Sequence, residues 1–116
     1  MGTDSSQIAN HEPHYVAVRA HVIRSGKVLL GLSLSREGFW TTFGGRPKRG
    51  EAPEDTLRRE LQEELGVDVR DFQRLPDRQT TWGGKPGLVA IFAVTNWRGE
   101  RRRLTGNVPA SIFGLT

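Results

Sequence analysis

The sequence predicts an α/β fold in which a mixed β-sheet is covered by helix. Three stretches support this: the alternating segment YVAVRAHVI from Tyr15, the leucines Leu57, Leu61 and Leu65 at every fourth position, and the unbroken apolar run LVAIFAV from Leu88 to Val94. Alternation is the period of a half-buried strand, and a Ser25-Gly26 turn followed by KVLLGLSLS completes a β-hairpin. A four-residue repeat belongs to a helix that buries one stripe. The apolar run, too short for a helix of ordinary length, reads as a buried strand. Further strands are expected over 67–75 and 79–82, with a Gly-Gly-Lys-Pro-Gly turn before Leu88.

The helix is bounded by its own chemistry. Pro53 suits a first helical position, Glu54 and Asp55 favour the positive end of the helix dipole, and Gly66 supplies a stop, so a helix over 53–65 is predicted. The same helix bears Glu60, Glu63 and Glu64. Positions i, i+3 and i+4 share a face, so the three carboxylates are expected to converge within a few ångströms beside the leucine stripe. Like charges so placed repel, and a hard divalent cation among the oxygens explains the arrangement, Mg2+ or Mn2+ being the natural candidates. The Gly44-Gly45 pair just ahead lets backbone approach closely.

The stretch GRPKRGEAPEDTLRRELQEELGV, from Gly45 to Val67, resembles the Nudix box G-x5-E-x7-R-E-U-x-E-E-x-G-U, where U is aliphatic. Gly45, Glu51, Arg59, Glu60, Leu61, Glu63, Glu64, Gly66 and Val67 fill every specified position. The preceding FWTTFGG is similar to the usual approach to that box. The resemblance implies a Nudix-type α/β/α sandwich with a mixed sheet. It also implies hydrolysis of a nucleoside diphosphate linked to another group, with a catalytic set of Glu60, Glu63, Glu64 and Arg59. Glu60, Glu63 and Glu64 then ligate one or more Mg2+ (or Mn2+) ions, joined by a backbone carbonyl of the Gly44–Gly45 loop, while Glu51 and Arg59 brace loop against helix. Such a metal neutralises phosphate charge and lowers the pKa of a bound water.

Charge and aromatic placement add substrate candidates. The net charge of +4 suits polyanions, whether nucleotides or RNA ends. Gly45, Arg46, Lys48 and Arg49 lie within the box loop, next to the presumed pyrophosphate, and Trp82, placed before a glycine-rich turn, is the aromatic best exposed for stacking on a base. His14 and His21 lack a partner at metal-ligand spacing and are read as structural or surface residues. Arg101 to Arg103 form a basic run in the tail.

The chain of 116 residues suits one domain, expected as a polar, disordered leader over 1–13, a Nudix domain over 14–98 with its box at 45–67, and an atypical tail over 99–116. The absence of cysteine excludes disulfides, thiol catalysis and zinc-thiolate sites, and sets an intracellular, cytoplasmic expectation. No apolar run is long enough to span a membrane, and no signal-peptide pattern is visible. The tail, RGERRRLTGNVPASIFGLT, shows no helical period, so the C-terminal helix of the sandwich has no counterpart in it. Either Ile112, Phe113 and Leu115 complete the fold differently, or one sheet face is open to a homodimer partner.

Phe43, where many Nudix proteins have proline, is similar to the MutT-like branch that acts on oxidised purine nucleoside triphosphates. The resemblance therefore implies cleavage of a nucleoside triphosphate to monophosphate and pyrophosphate. Two alternatives stand beside it: a Nudix hydrolase of ADP-ribose, dinucleotides, sugar nucleotides or RNA 5′ ends, and a truncated domain that binds without turnover.

Overall fold

The computed structural model describes residues 14–33, 39–99 and 105–110. The elements among them are strands β1 (Tyr15–Arg24), β2 (Lys27–Ser33), β3 (Phe39–Thr41) and β4 (Phe43–Gly45), helix α1 (Pro53–Leu65), and strands β5 (Val67–Trp82), β6 (Lys85–Gly99) and β7 (Thr105–Pro109). All seven strands join one sheet in the order β3-β2-β1-β6-β5, with β4 paired to β1 and β7 to β2. The central β1–β6 pair is parallel, from Tyr15 opposite Leu88 to Val22 opposite Val94, and the remaining pairs are antiparallel. The sheet is mixed, as expected.

Alternation along β1 fixes which face is inside. Val16, Val18, Ala20 and Val22 are buried, while Ala17, Arg19, His21 and Ile23 alternate with them, as the two-residue period of a strand requires. The buried row meets Leu57, Leu61 and Leu65, which are fully buried together with Phe43, Val67 and Phe92. The helix begins at Pro53 with Glu54 and Asp55 in its first turn. It ends where Gly66, at φ 71°, donates its N–H to the Gln62 carbonyl at 2.9 Å, the left-handed close that glycine adopts most readily. A polar cluster fixes the helix start to the sheet. Arg74 donates to Glu54 (3.2 Å), Asp77 (3.0 Å) and the Tyr15 hydroxyl (3.0 Å), and that hydroxyl donates to Asp77 at 2.8 Å.

Three expectations are corrected. The strands expected over 67–75 and 79–82 are one strand, β5, which crosses Pro76 through a register shift between Leu75 and Arg78; a bulge on an edge strand tolerates a residue that has no N–H to donate. The apolar run Leu88–Val94 is only the middle of β6. The tail contributes a strand, β7, where none was expected, through backbone pairing to β2 from Lys27–Pro109 to Gly31–Thr105. Ile112, Phe113, Leu115, Arg101 to Arg103 and the leader over 1–13 lie outside the described residues. Among the described residues α1 is the single α-helix and covers one face of the sheet, and no helix is long and apolar enough to cross a membrane.

Leu61→Ala is expected to destabilise the fold by about 2–5 kcal/mol. Denaturant unfolding checks this, and a loss below about 1 kcal/mol would contradict the burial of the stripe.

Candidate active site

The loop that joins β4 to α1 is held in place by glycine at its start and by arginine at its centre. Gly44 lies at φ 142°, and a Cβ there would fall 1.9 Å from the Val18 carbonyl oxygen, so no other residue fits. A Cβ on Gly45 would lie 2.4 Å from the Glu60 carboxyl group. The two glycines therefore let backbone seat directly against the helix. The Gly44 N–H donates to Glu64 Oε1 at 3.2 Å, and Glu60 fills the space that a side chain at position 45 would take.

Arg59 uses its whole donor set. Nε donates to Glu51 Oε2 (2.8 Å), and Nη2 donates to Glu51 Oε1 (2.9 Å) and to the Arg46 carbonyl (3.0 Å). Nη1 donates to Glu60 Oε1 (3.0 Å) and Glu63 Oε1 (3.1 Å). A guanidinium has five N–H donors in a fixed fork, and here each has an acceptor. Glu51 Oε1 also accepts from the Lys48 N–H (2.9 Å) and the Thr56 hydroxyl (2.8 Å). These bonds, that to Arg59 foremost, hold the Glu51 carboxyl down at about 2, and the same pairing raises Arg59 above its usual range.

The glutamates share one helix face as expected but do not converge as a triad. Glu60 and Glu63 close on Arg59 Nη1, whereas Glu64 reaches back to the Gly44 N–H. Among the described residues no three acidic or histidine side chains are grouped closely enough to hold a metal ion. The Arg59 guanidinium draws Glu60 and Glu63 to itself, while Glu64 is held at the loop backbone. The donor set still suits a hard divalent cation: carboxylate oxygens beside a glycine loop whose missing Cβ leaves a cradle around Glu60. Glu63, at 54% side-chain exposure, is the freest of those bound to Arg59.

Of the loop cations, Lys48 and Arg49 are exposed. The Arg46 guanidinium stacks on the Trp82 ring, 4.0 Å from its centroid. Trp82 is 51% exposed, in agreement with its place before the Gly83-Gly84 turn. The tip of the β5–β6 hairpin thus rests on the loop that precedes α1, and two residues with no common sequence signal meet there.

The sheet face opposite α1 forms an open cleft of about 680 Å³. Ala17, Leu75, Val89 and Ile91 supply its apolar surface, and Arg19, His21, Thr42, Arg78 and Thr80 its polar groups. Arg19 donates to the hydroxyls of Thr41 and Thr42, at 3.2 Å and 3.1 Å, and to the Thr42 carbonyl. Burial pulls Arg19 below its usual range, against the opposing fields of Glu64 and Glu60. The cleft and the glutamates are therefore electrostatic neighbours. Burial, with Arg19 and Arg78 nearby, lowers the pKa of His21 and favours its neutral form. Sequence reasoning missed Arg19, Thr42, Arg78 and Thr80. An arginine within the alternating pattern of β1, on the face opposite Val18 and Ala20, was a usable signal for Arg19; Arg78 was hidden by the apparent break at Pro76.

The sequence profile of the NUDIX domain matches residues 13–108. The chain belongs to the Nudix family. An 8-oxo-dGTP diphosphatase of Proteus vulgaris is 38% identical across 60% of this Nudix chain and 62% of its own length. An oxidized purine nucleoside triphosphate hydrolase of Danio rerio is 36% identical across 68% and 53%. The chain thus spans between about half and three fifths of these relatives. The crystal structure of a MutT NUDIX hydrolase from Burkholderia pseudomallei superposes with a TM-score of 0.70 at 23% identity, covering 84% of both chains. The solution structure of the E. coli ORF135 protein does so with 0.73 at 22% identity, covering 86% of this chain and 76% of that one. These two share the fold. Nudix hydrolases generally use divalent metal ions, in keeping with the oxygen-rich donor set.

Because the folded pKa of Glu51 is about 2 against an ordinary 4.5, its charge stabilises the native state fully above pH 4.5, and that contribution is lost as pH falls toward 2. The thermal midpoint of the wild type is expected to fall more steeply than that of Glu51→Gln through this window. Parallel curves would show that the clamp does not depend on the carboxylate charge.

Proposed function

We infer that this protein is a metal-dependent Nudix hydrolase that cleaves the phosphoanhydride of a nucleoside triphosphate, giving a nucleoside monophosphate and pyrophosphate. The observation that carries this reading is the seating of Glu60 and Glu64 against Gly45 and Gly44, which brings carboxylate oxygens beside backbone at the mouth of a basic loop. Glu60, Glu63 and Glu64 are the residues that would hold Mg2+ or Mn2+, with a backbone carbonyl of the glycine loop as a further oxygen. When bound, such an ion neutralises phosphate charge and makes a bound water acidic enough to attack near neutral pH.

The chain's own groups do the remaining work. Lys48 and Arg49, exposed beside the helix start, attract the polyphosphate, with Arg46 next to them on the Trp82 ring. Trp82 offers a face for the base at the loop end. Arg59 acts as a positioning residue: it keeps Glu60 and Glu63 on the loop side of the helix through Nη1, while Glu51 fixes its fork. Water adds to one phosphorus as the anhydride P–O bond breaks, and the departing phosphate oxygen leaves with the bridging electron pair. The names of the relatives favour one narrower reading, in which the substrate is an oxidised purine nucleoside triphosphate.

Hydrolysis of dNTPs and 8-oxo-dGTP, read by pyrophosphate release, and of ADP-ribose and dinucleotides, read by monophosphate release, with Mg2+, with Mn2+ and with chelator, tests the assignment. Metal-dependent turnover of a triphosphate is expected, with silence in chelator. Glu64→Gln should lower kcat by orders of magnitude while circular dichroism stays that of the wild type. A folded Glu64→Gln protein with near wild-type turnover would overturn the assignment of this carboxylate.

A further inference from the structure

Arg46 is held at both ends. Its carbonyl accepts from Arg59 Nη2 at 3.0 Å, Pro47 behind it favours an extended backbone, and its guanidinium lies 4.0 Å from the centroid of the Trp82 ring. Stacking engages the flat face of a guanidinium and leaves its in-plane N–H donors for phosphate oxygens. A long side chain gives up rotamer freedom when a ligand captures it, and for Arg46 that ordering has already taken place on folding. Its neighbour Gly45 is the residue seated against the Glu60 carboxyl group, so the ordered cation stands one residue from the glutamates. The ring that holds it is itself well supported. Trp82 ends β5 opposite Lys85, across a two-residue turn in which Gly83 and Gly84 lie at φ 58° and 79°, the left-handed pair that a tight hairpin requires. With Arg46 upon it the indole is still 51% exposed.

We propose that Trp82 is a positioning residue for the polyphosphate, acting through Arg46: its ring holds the guanidinium at the mouth of the glutamate site before substrate arrives. This role is separate from stacking on a base, because it concerns the phosphate end of the substrate and needs no base at all. It gives the β5–β6 hairpin, remote in sequence from the box, a part in phosphate binding. The proposal rests on the reading of the protein as a nucleotide hydrolase and deepens it.

The test uses a probe that has phosphates and no base: methylenediphosphonate, a pyrophosphate analogue whose bridging carbon prevents cleavage. Its Kd is measured by calorimetry with Mg2+ for wild type, Trp82→Leu, Trp82→Phe, Arg46→Leu and the Trp82→Leu/Arg46→Leu double variant, beside KM and kcat for a triphosphate. Trp82→Leu is expected to raise the Kd about threefold, and Trp82→Phe, which keeps an aromatic face, should recover most of the loss. The double variant should bind no more weakly than Arg46→Leu, since the ring has nothing to position once the guanidinium is gone. For the triphosphate the effect of Trp82→Leu should fall on KM more than on kcat. A merely structural role would add the same loss in the Arg46→Leu background and would overturn the proposal. A Trp82→Leu protein that binds the probe like wild type also overturns it, and a rise in KM for the nucleotide alone would then assign the ring to the base. Wild type that fails to bind the probe overturns it as well. Turnover of nucleotides alongside any of these results preserves the hydrolase reading, whereas coupled loss of probe binding with no nucleotide turned over supports the positioning role and overturns that reading.

Discussion

The Arg59 fork is the interaction on which the rest of the site depends. A single guanidinium joins the carbonyl of Arg46 in the loop, Glu51 at the end of that loop, and Glu60 and Glu63 on the helix. Loop and helix are consecutive in sequence, and backbone bonds join them at the Lys48–Glu51 turn and the start of the helix, but it is the fork that ties the loop further along α1. The bidentate pair with Glu51 gives that tie direction as well as energy, since two parallel N–H···O bonds fix the plane of the fork. Once that plane is set, the remaining donors reach the Arg46 carbonyl in the loop and the Glu60 and Glu63 carboxylates on α1. A lysine in place of Arg59 would supply charge without the planar geometry.

The two sheet faces divide the labour. One is closed by α1 through the leucine stripe, and its burial is what makes the helix a rigid platform for the glutamates. The other is lined by a mixture of aliphatic and cationic side chains and has no helix over it among the described residues. β1 serves both at once: Val18 and Ala20 pack under the helix, while Arg19 and His21 point the other way. Gly44, opposite Arg19 on β4, is where the two faces come nearest in electrostatic terms. The Glu64 carboxylate is held at its N–H, and the fields of Glu64 and Glu60 reach Arg19.

Local chemistry made part of this legible and long-range pairing hid the rest. The helix has the predicted bounds because Pro53, the acidic first turn and Gly66 are self-sufficient signals, and the β1–β2 hairpin is set by its own turn. The Glu51–Arg59 brace was visible only through resemblance; the grip of Arg59 on Glu63 follows the i, i+4 spacing of a helix, whereas its bond to Glu60 had no such signal. Spacing placed three carboxylates on one face; it could not say that a neighbouring arginine would occupy the space between two of them. β7 has almost no strand signature, and its structure comes from hydrogen bonds to β2, a partner remote in sequence. The cleft is assembled from β1, β5, β6 and the Thr42 segment, none of which has a distinctive motif.

The longest strand of the sheet is also an edge. β5 has β6 on one side and, among the described residues, no strand on the other, which leaves a row of unpaired backbone groups along it. Such an edge is a template for intermolecular pairing. This one makes a poor template. Pro76 removes a donor, register shifts after Val69, Asp71 and Leu75 break the straight ladder, and Asp68, Arg70, Asp71, Arg74, Asp77 and Arg78 scatter charges of both signs along it. The irregularity that obscured β5 in the sequence thus doubles as protection against edge-to-edge aggregation when the protein is concentrated.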